Sequence, residues 1–282
     1  MTSTAIRALW GASHPGPSLV VTVLSLALGI AAGVEPWRLA VLTASVLAGQ
    51  FSVGISNDAI DARRDAQVGR TDKPIARGDV GLRVAWSVAF ASALMALALS
   101  AVLGIGLLGV HAVALASAWS YNAGLKNTPI SVLPFIVSFG LFPSFATLAA
   151  TPPGFAAPWA AVAGGALGTA VHLTNVLPDL DDDARTGIRG LPHRLGVRVA
   201  SILAATGILL GAVAVLLGPV IGGPQPRATI TPVSWAFFGG VALVALLTLV
   251  RALRRPPARV LFRLTMLSAL LLAAQLVATS AG

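Results

Sequence analysis

Asn57-Asp58-Ala59-Ile60-Asp61-Ala62-Arg63-Arg64-Asp65 is the stretch on which the reading of this chain turns. Its polar residues are spaced N-x-x-x-D-x-x-x-D. Positions four apart share one face of an α-helix, so Asn57, Asp61 and Asp65 form a single polar stripe. The spacing returns in Asn175-Val176-Leu177-Pro178-Asp179-Leu180-Asp181-Asp182-Asp183, where Asn175, Asp179 and Asp183 repeat the stripe. Each copy follows a long apolar run and leads into a basic segment. Of ten acidic residues, nine are Asp within 58–79 or 179–183, and Glu35 is the tenth. Anions gathered in two places argue for chemistry there.

The surroundings of the two stretches are apolar. The chain has 282 residues, is 56% hydrophobic and 10% charged, and has a mean hydropathy of +0.85. Soluble domains carry about 25% charged residues. Apolar runs of about 20 residues recur along the whole length, which predicts an all-α polytopic membrane protein. Nine transmembrane helices are expected, at 17–34, 39–56, 82–103, 107–121, 129–150, 158–177, 199–217, 233–250 and 260–277. The first reads as a full span rather than a cleavable signal. Residues 1–16 are expected to lie at the interface, with Trp10 near the headgroups. The Asp motifs open two polar loops, 57–83 and 179–198, and Pro178 is expected to kink the sixth span. There is no cysteine, hence no disulfide and no thiolate chemistry. The excess of Arg over Lys, with abundant Ala and Gly, suggests a GC-rich bacterial genome and therefore a bacterial inner membrane.

The basic residues orient the chain. With the N-terminus cytoplasmic, the inner segments carry seventeen of nineteen basic residues, and only Arg38 and Arg227 fall outside. The net charge of +9 is thus topogenic, and no nucleic-acid partner is expected. Four spans separate Asn57 from Asn175, so both motifs face the cytoplasm. The pseudo-repeat is parallel, unlike the inverted repeats of many transporters.

Carboxylates at membrane depth are costly unless paired, hydrated or metal-bound. Asp oxygens with an Asn carbonyl are hard ligands suited to Mg²⁺, which typically bridges carboxylates to substrate phosphates. Cations to balance a diphosphate follow each motif: Arg70, Lys73 and Arg77 after the first, Arg185, Arg189 and Arg194 after the second, with Lys126 between. A diphosphate at the mouth of a helical bundle, its hydrocarbon tail in the apolar interior, describes an isoprenyl diphosphate donor. Metal and cations withdraw charge from the leaving group, and a nucleophile held close captures the carbocation.

On these residues the chain resembles the UbiA family of intramembrane prenyltransferases. The first family motif, N-D-x-x-D-x-x-x-D, is matched by Asn57, Asp58, Asp61 and Asp65. The following loop is matched by Gly69-Arg70-Thr71-Asp72-Lys73-Pro74-Ile75-Ala76-Arg77-Gly78, and the Asp-rich second motif by Asp179, Asp182 and Asp183. Gly187-Ile188-Arg189-Gly190-Leu191-Pro192, Tyr121 and Lys126 are similar to further family features. The resemblance spans almost the whole chain and implies one UbiA-like domain over 1–282. It implies Mg²⁺ held by Asn57, Asp61, Asp179 and Asp183, with Asp58, Asp65 and Asp182 in support and Asn175 on the same stripe. It places Lys73, Arg77, Tyr121, Lys126 and Arg189 near the diphosphate, with Arg70 beside them. The implied activity is transfer of an isoprenyl group to a small aromatic acceptor, with a lipid-quinone precursor as default. One departure bears on the acceptor: where many members with carboxylated aromatic acceptors have a basic residue before Pro, this chain has His14-Pro15. A terpene cyclase using the same ionisation is the nearest alternative, and a transporter without chemistry is the alternative from another class.

Other polar residues have plainer expectations. Asp72 and Asp79 read as loop residues that balance Arg, and Asp181 as exposed. Arg63 and Arg64 point away from the stripe. Tyr121 is either an interfacial anchor or a catalytic or phosphate-contacting residue. It shares a site with Lys126 only if the helix ends between them. His111 reads as a packing residue, His172 as a buried hydrogen-bonding residue one turn before Asn175, and His193 as a loop residue. The Arg251–Arg263 cluster reads as an orientation signal that meets anionic lipid.

Overall fold

The computed structural model describes residues 3–185, 187–222 and 229–280, with the side chains of Ser3 and Asp182 outside that description. The described residues are helical, with turns between. The helices are α1 (Ser3–Ala12), α2 (Pro15–Ala31), α3 (Pro36–Gln67), α4 (Leu82–Leu103), α5 (Ile105–Ala123) and α6 (Leu133–Ala149). They continue with α7 (Pro158–Val176), α8 (Leu180–Arg185), α9 (Leu191–Gly222), α10 (Pro232–Arg254) and α11 (Val260–Ser280). Without water, each backbone N–H and C=O in the bilayer must be satisfied within its own segment, so the apolar runs become helices. Proline in the first turn of α2, α3, α6, α7 and α10 sets φ where no N–H partner is needed.

Six helices (α3, α4, α7 with its following turn, α9, α10 and α11) are long and apolar enough to cross a membrane. They become seven if α1 and α2, bent by 65° to one another, count as one span. The chain is therefore a multi-pass membrane protein. Against the nine expected spans, α6 is a shorter apolar helix, and α5 combines apolar turns with a polar end at Tyr121 and Asn122. Residues 1–16 are not a loose interfacial strip: α1 is a helix whose elbow packs against α3. Arg227 lies outside the described residues.

Apart from the short α8, each helix from α2 onward packs on the next, and α11 returns to α2. Gly164 and Gly168, four apart on α7, let the α6 backbone approach at Phe139 and Phe135, where a Cβ would collide with carbonyl oxygens. Three apolar clusters surround the central space. One joins α7, α9, α10 and α11; one joins α1, α3 and α4; the third, with Leu42, Leu103, Leu107 and Phe145, closes the end far from the Asp motifs. Large apolar side chains such as Phe90, Leu94, Leu210 and Leu246 are left exposed on the outside, as lipid contact requires.

Candidate active site

Both Asp motifs open onto one cavity of about 930 Å³ inside the helix ring. The first motif lies within α3, which runs unbroken to Gln67, so the expected loop begins eleven residues later than 57 (68 − 57). Asp58, Asp61 and Asp65 are buried, Asn57 is half-buried, and all four line the cavity. The second motif is built differently. Pro178 cannot donate the helix hydrogen bond, and the chain makes a 3₁₀ turn over Leu177–Asp179 before α8. Asn175, in the last turn of α7, is exposed, yet it lines the cavity with Asp179 and Asp183. The Asp182 side chain lies outside the described residues.

Each carboxylate of the first motif meets a cation. Lys73 Nζ donates to Asp58 Oδ1 at 2.6 Å, and His14 Nε2 lies 2.9 Å from the same oxygen. Lys126 Nζ is 2.6 Å from both oxygens of Asp61. Arg64 Nη2 lies 3.0 Å from Asp61 Oδ2 and 3.5 Å from Asp65 Oδ1. Arg64 thus turns toward the stripe, contrary to expectation, because its long stem reaches back over one turn; Arg63 is exposed. Asp58 Oδ2 is buried without a hydrogen-bond partner. Among the described residues no three His, Asp or Glu side chains form a closed metal cage; the donors come from two separate elements.

Electrostatics outside the spans follow from burial and neighbours. Burial pushes the Asp183 carboxyl up to about 6, against the pull of Arg64 and Lys126 and with the push of Asp179 and Asp61. Burial also draws the Lys126 ammonium below its ordinary value, although Asp61 opposes this. Arg70 makes two 2.9 Å hydrogen bonds to Asp72, which hold that carboxyl well below the usual carboxylate range and raise the guanidinium. The Asp179 and Asp65 carboxylates also act on Arg70, so its charge is felt by both motifs.

Helix α5 ends at Ala123, and Gly124, with φ of 158°, turns the chain into a 3₁₀ turn at Leu125–Asn127. That break brings Tyr121 and Lys126 to the same cavity. Tyr121 is packed edge-on against Phe135 (5.0 Å) and His172 (5.6 Å), as part of the wall rather than an interfacial anchor. His172 meets the Ser131 hydroxyl at 3.0 Å, and that oxygen accepts the Leu191 N–H at 2.9 Å. Ser131 therefore ties the second polar loop to α7 and to the turn carrying Lys126.

Four expected cations, Arg77, Arg185, Arg189 and Arg194, are not in the wall. Arg77 is exposed and held by Asp79 and the Thr71 carbonyl, nearer partners than anything in the cavity. Arg189 is exposed and lies near His193 instead. Arg70 and Lys73 do line the cavity. Asp181 is exposed, as expected. Several wall residues carry a role other than the one the sequence suggested. His193 belongs to the first turn of α9, 3.8 Å from Asp183, rather than to a loop. Arg259 and Arg263 stand at the cavity, and Arg259 lies 3.7 Å from Asp72, so the lipid-facing reading of that cluster is incomplete. His14 faces Asp58 because it takes φ of 52° at the α1–α2 elbow, which is the left-handed region. The stripe Phe135, Phe139 and Phe142, at helical spacing on α6, was legible in principle; it forms the apolar wall.

A ring of membrane helices around an acid-lined, cation-rimmed cavity with largely apolar walls is the architecture of an intramembrane enzyme. The UbiA prenyltransferase family model matches residues 18–273, and the chain belongs to that family. It is accordingly an enzyme of the prenyltransferase class. It is 31% identical over 246 residues to the bacteriochlorophyll synthase 33 kDa chain of Cereibacter sphaeroides, covering 83% of this chain and 77% of that one. The fold is similar to the apo structure of a UbiA homologue from Aeropyrum pernix K1, with a TM-score of 0.74, 19% identity, and coverage of 92% of this chain and 97% of that one. It is also similar to a UbiA homologue from Archaeoglobus fulgidus bound to GPP and Mg²⁺, with a TM-score of 0.72, 14% identity, and coverage of 98% and 100%.

Proposed function

We propose that this chain, as one catalytic domain, transfers an isoprenyl group from an isoprenyl diphosphate to a small aromatic acceptor with Mg²⁺ as cofactor. The observation that carries the reading is the row Asp58, Asp61 and Asp65, buried against Lys73, Lys126 and Arg64 at the polar end of an apolar-walled cavity. The residues fit a divalent cation. Asp58 Oδ2 is a buried acceptor without a donor, and the other carboxylate oxygens face ammonium and guanidinium groups where a metal ion and a diphosphate would share them. Asn57, Asp58, Asp61 and Asp65 from α3, with Asn175, Asp179 and Asp183 opposite, would hold the metal. When bound, Mg²⁺ neutralises charge on the diphosphate and so helps it leave.

The chain's own side chains do the rest. Lys73, Lys126, Arg64 and Arg70 exchange carboxylate for phosphate oxygens as the donor enters, and stabilise the charge that grows on the leaving group. The allylic C–O bond breaks with its electron pair going to the diphosphate. Tyr121 and Phe135 keep water from the cation, and the acceptor carbon or oxygen forms the new bond as its proton passes to the released diphosphate. His14 hydrogen-bonds Asp58 and is engaged within the donor site, which argues against a carboxylated benzoate acceptor docked on it.

The test uses purified protein in lipid with Mg²⁺ and allylic diphosphates, with and without Asp61→Ala and Asp179→Ala, and measures diphosphate release. Mg²⁺-dependent release that both substitutions abolish is expected. Release without any acceptor, giving a cyclised product by mass, would favour a cyclase. Folded protein that releases no diphosphate with any donor or acceptor would overturn the enzyme reading in favour of a binding or transport role. A second acceptor class, a bacteriochlorophyll precursor, is supported by the 31% identity to the bacteriochlorophyll synthase chain. Product masses from phenolic and tetrapyrrole acceptors separate the two. A bacterial inner membrane with both motifs cytoplasmic remains the proposed setting.

A further inference from the structure

The cavity continues from the Asp motifs down between α3, α5 and α6, and at its far end stands His111. Gly49 of α3, which faces it, is twelve residues before Asp61, and at about 1.5 Å per residue it lies about 18 Å below that carboxylate. His111 is ten residues before Tyr121 on α5, about 15 Å deeper by the same rise.

The imidazole is pinned from three sides. Its Nδ1 meets the Ser100 hydroxyl of α4 at 2.7 Å, and Ser100 is wholly buried. Its ring edge packs on Phe145 of α6 at 4.9 Å between centroids. Its Nε2 presses so closely on α3 that a Cβ at Gly49 would lie 2.7 Å away. Behind it, the buried residues Leu42, Leu103 and Leu107 fill the outer end of the bundle. The walls above it are mostly apolar or aromatic, among them Leu115, Phe139 and Phe142, with Gln50 and Ser138 as polar interruptions. A polar ring at the foot of an apolar channel is an odd lining residue but a good stop. It cannot rotate away without giving up a buried hydrogen bond, and an alkyl tail that reaches it must strip its nitrogen of any polar contact.

We infer that His111, locked by Ser100 and seated in the gap left by Gly49, is the floor of the donor's tail channel and sets the longest isoprenyl chain that binds fully extended. The inference rests on the isoprenyl-diphosphate reading above. It makes His111 a specificity-determining residue that takes no part in ionisation.

The test measures binding, so that it does not depend on finding the acceptor. Non-ionisable geranyl, farnesyl and geranylgeranyl thiolodiphosphates are titrated with Mg²⁺ into wild-type protein, His111→Ala and Ala114→Phe. Ala114 lines the channel one turn above His111, so a phenyl ring there raises the floor. Hydrocarbon fit is worth about tenfold or more in discrimination. His111→Ala should therefore shift the affinity ratio of longer over shorter donor up by about tenfold, and Ala114→Phe should shift it down by a similar factor. Opposite shifts support the inference. An unchanged length profile in both variants, or a parallel loss for all lengths, would overturn it while leaving the donor site intact. Wild-type protein that binds none of the three would overturn the donor reading itself, and the floor with it.

Discussion

At the scale of single residues, the site is a set of charges that need one another. Asp61 and Lys126 are both nearly buried, and neither is tolerable alone in an apolar bundle. Lys126→Ala should lower kcat by about 10²–10³-fold, the size of one lost donor to a developing anion. Steady-state turnover with saturating donor checks it. Asp183 gives a pH signature. Its carboxyl ionises near 6 in the folded protein rather than at the ordinary 3.8, so it binds a proton over that window and is a poor metal ligand below it. Mg²⁺ affinity should rise as pH increases from about 5 to about 7, and calorimetric titration across that range would show it. The linked stability has the opposite sign. The folded state holds more protons than the unfolded one between 3.8 and about 6, so this group's contribution to stability is lost as pH rises to about 6. Asp183→Asn should flatten both trends.

At the scale of elements, the decisive feature is where helices stop. Helix α3 carries its three carboxylates into the cavity because it does not end at the membrane face. Helix α7 delivers Asp179 and Asp183 because Pro178 breaks it. On the opposite side, Arg38 shows what an apparently misplaced charge does. Its Nε donates to the Ala149 carbonyl at 2.6 Å and its Nη2 to the Leu103 carbonyl at 2.9 Å, at the C-terminal ends of α6 and α4. Those carbonyls have no helical partner and carry the negative end of the helix dipole. Arg38→Ala should cost about 2 kcal/mol. It should lower the thermal midpoint in detergent without changing donor affinity, since Arg38 does not line the cavity. Ser131 is an element-scale hinge of another kind. Ser131→Ala removes the contacts to Leu191 N–H and His172, and should loosen the second loop, weakening donor binding more than it lowers the thermal midpoint.

At the scale of the whole molecule, the ring of helices closes where α11 meets α2, and the two motifs open onto one cavity. The chain contains no cysteine, so single cysteines report the orientation without background. Phe155→Cys, in the turn between α6 and α7, should react with a membrane-impermeant maleimide on intact cells. Asp181→Cys should react only after the membrane is opened. The reverse pattern would invert the topology.

Read as a sequence, the chain already determined its membrane character, its helices, the parallel repeat and the carboxylates of both motifs. Each of those depends on local composition or on spacing along one helix. Asp58, Asp61 and Asp65 face the cavity for the same reason that they are three and four residues apart. What only the tertiary structure decided depends on distance in space. Asp79 was legible as a partner for a nearby Arg, but not that Arg77 would thereby stay out of the cavity while Arg64, with the same side chain, turns inward. His14, His111, His172 and His193 lie in four different segments, and their meeting at one cavity follows from helix packing alone. Helix count is intermediate: apolar length marks a span clearly when it is long, and loses force for α5 and α6, whose polar ends are shaped by the site. Local sequence specifies which groups a helix carries, but which of them lose water together is set by the neighbours that fold against it.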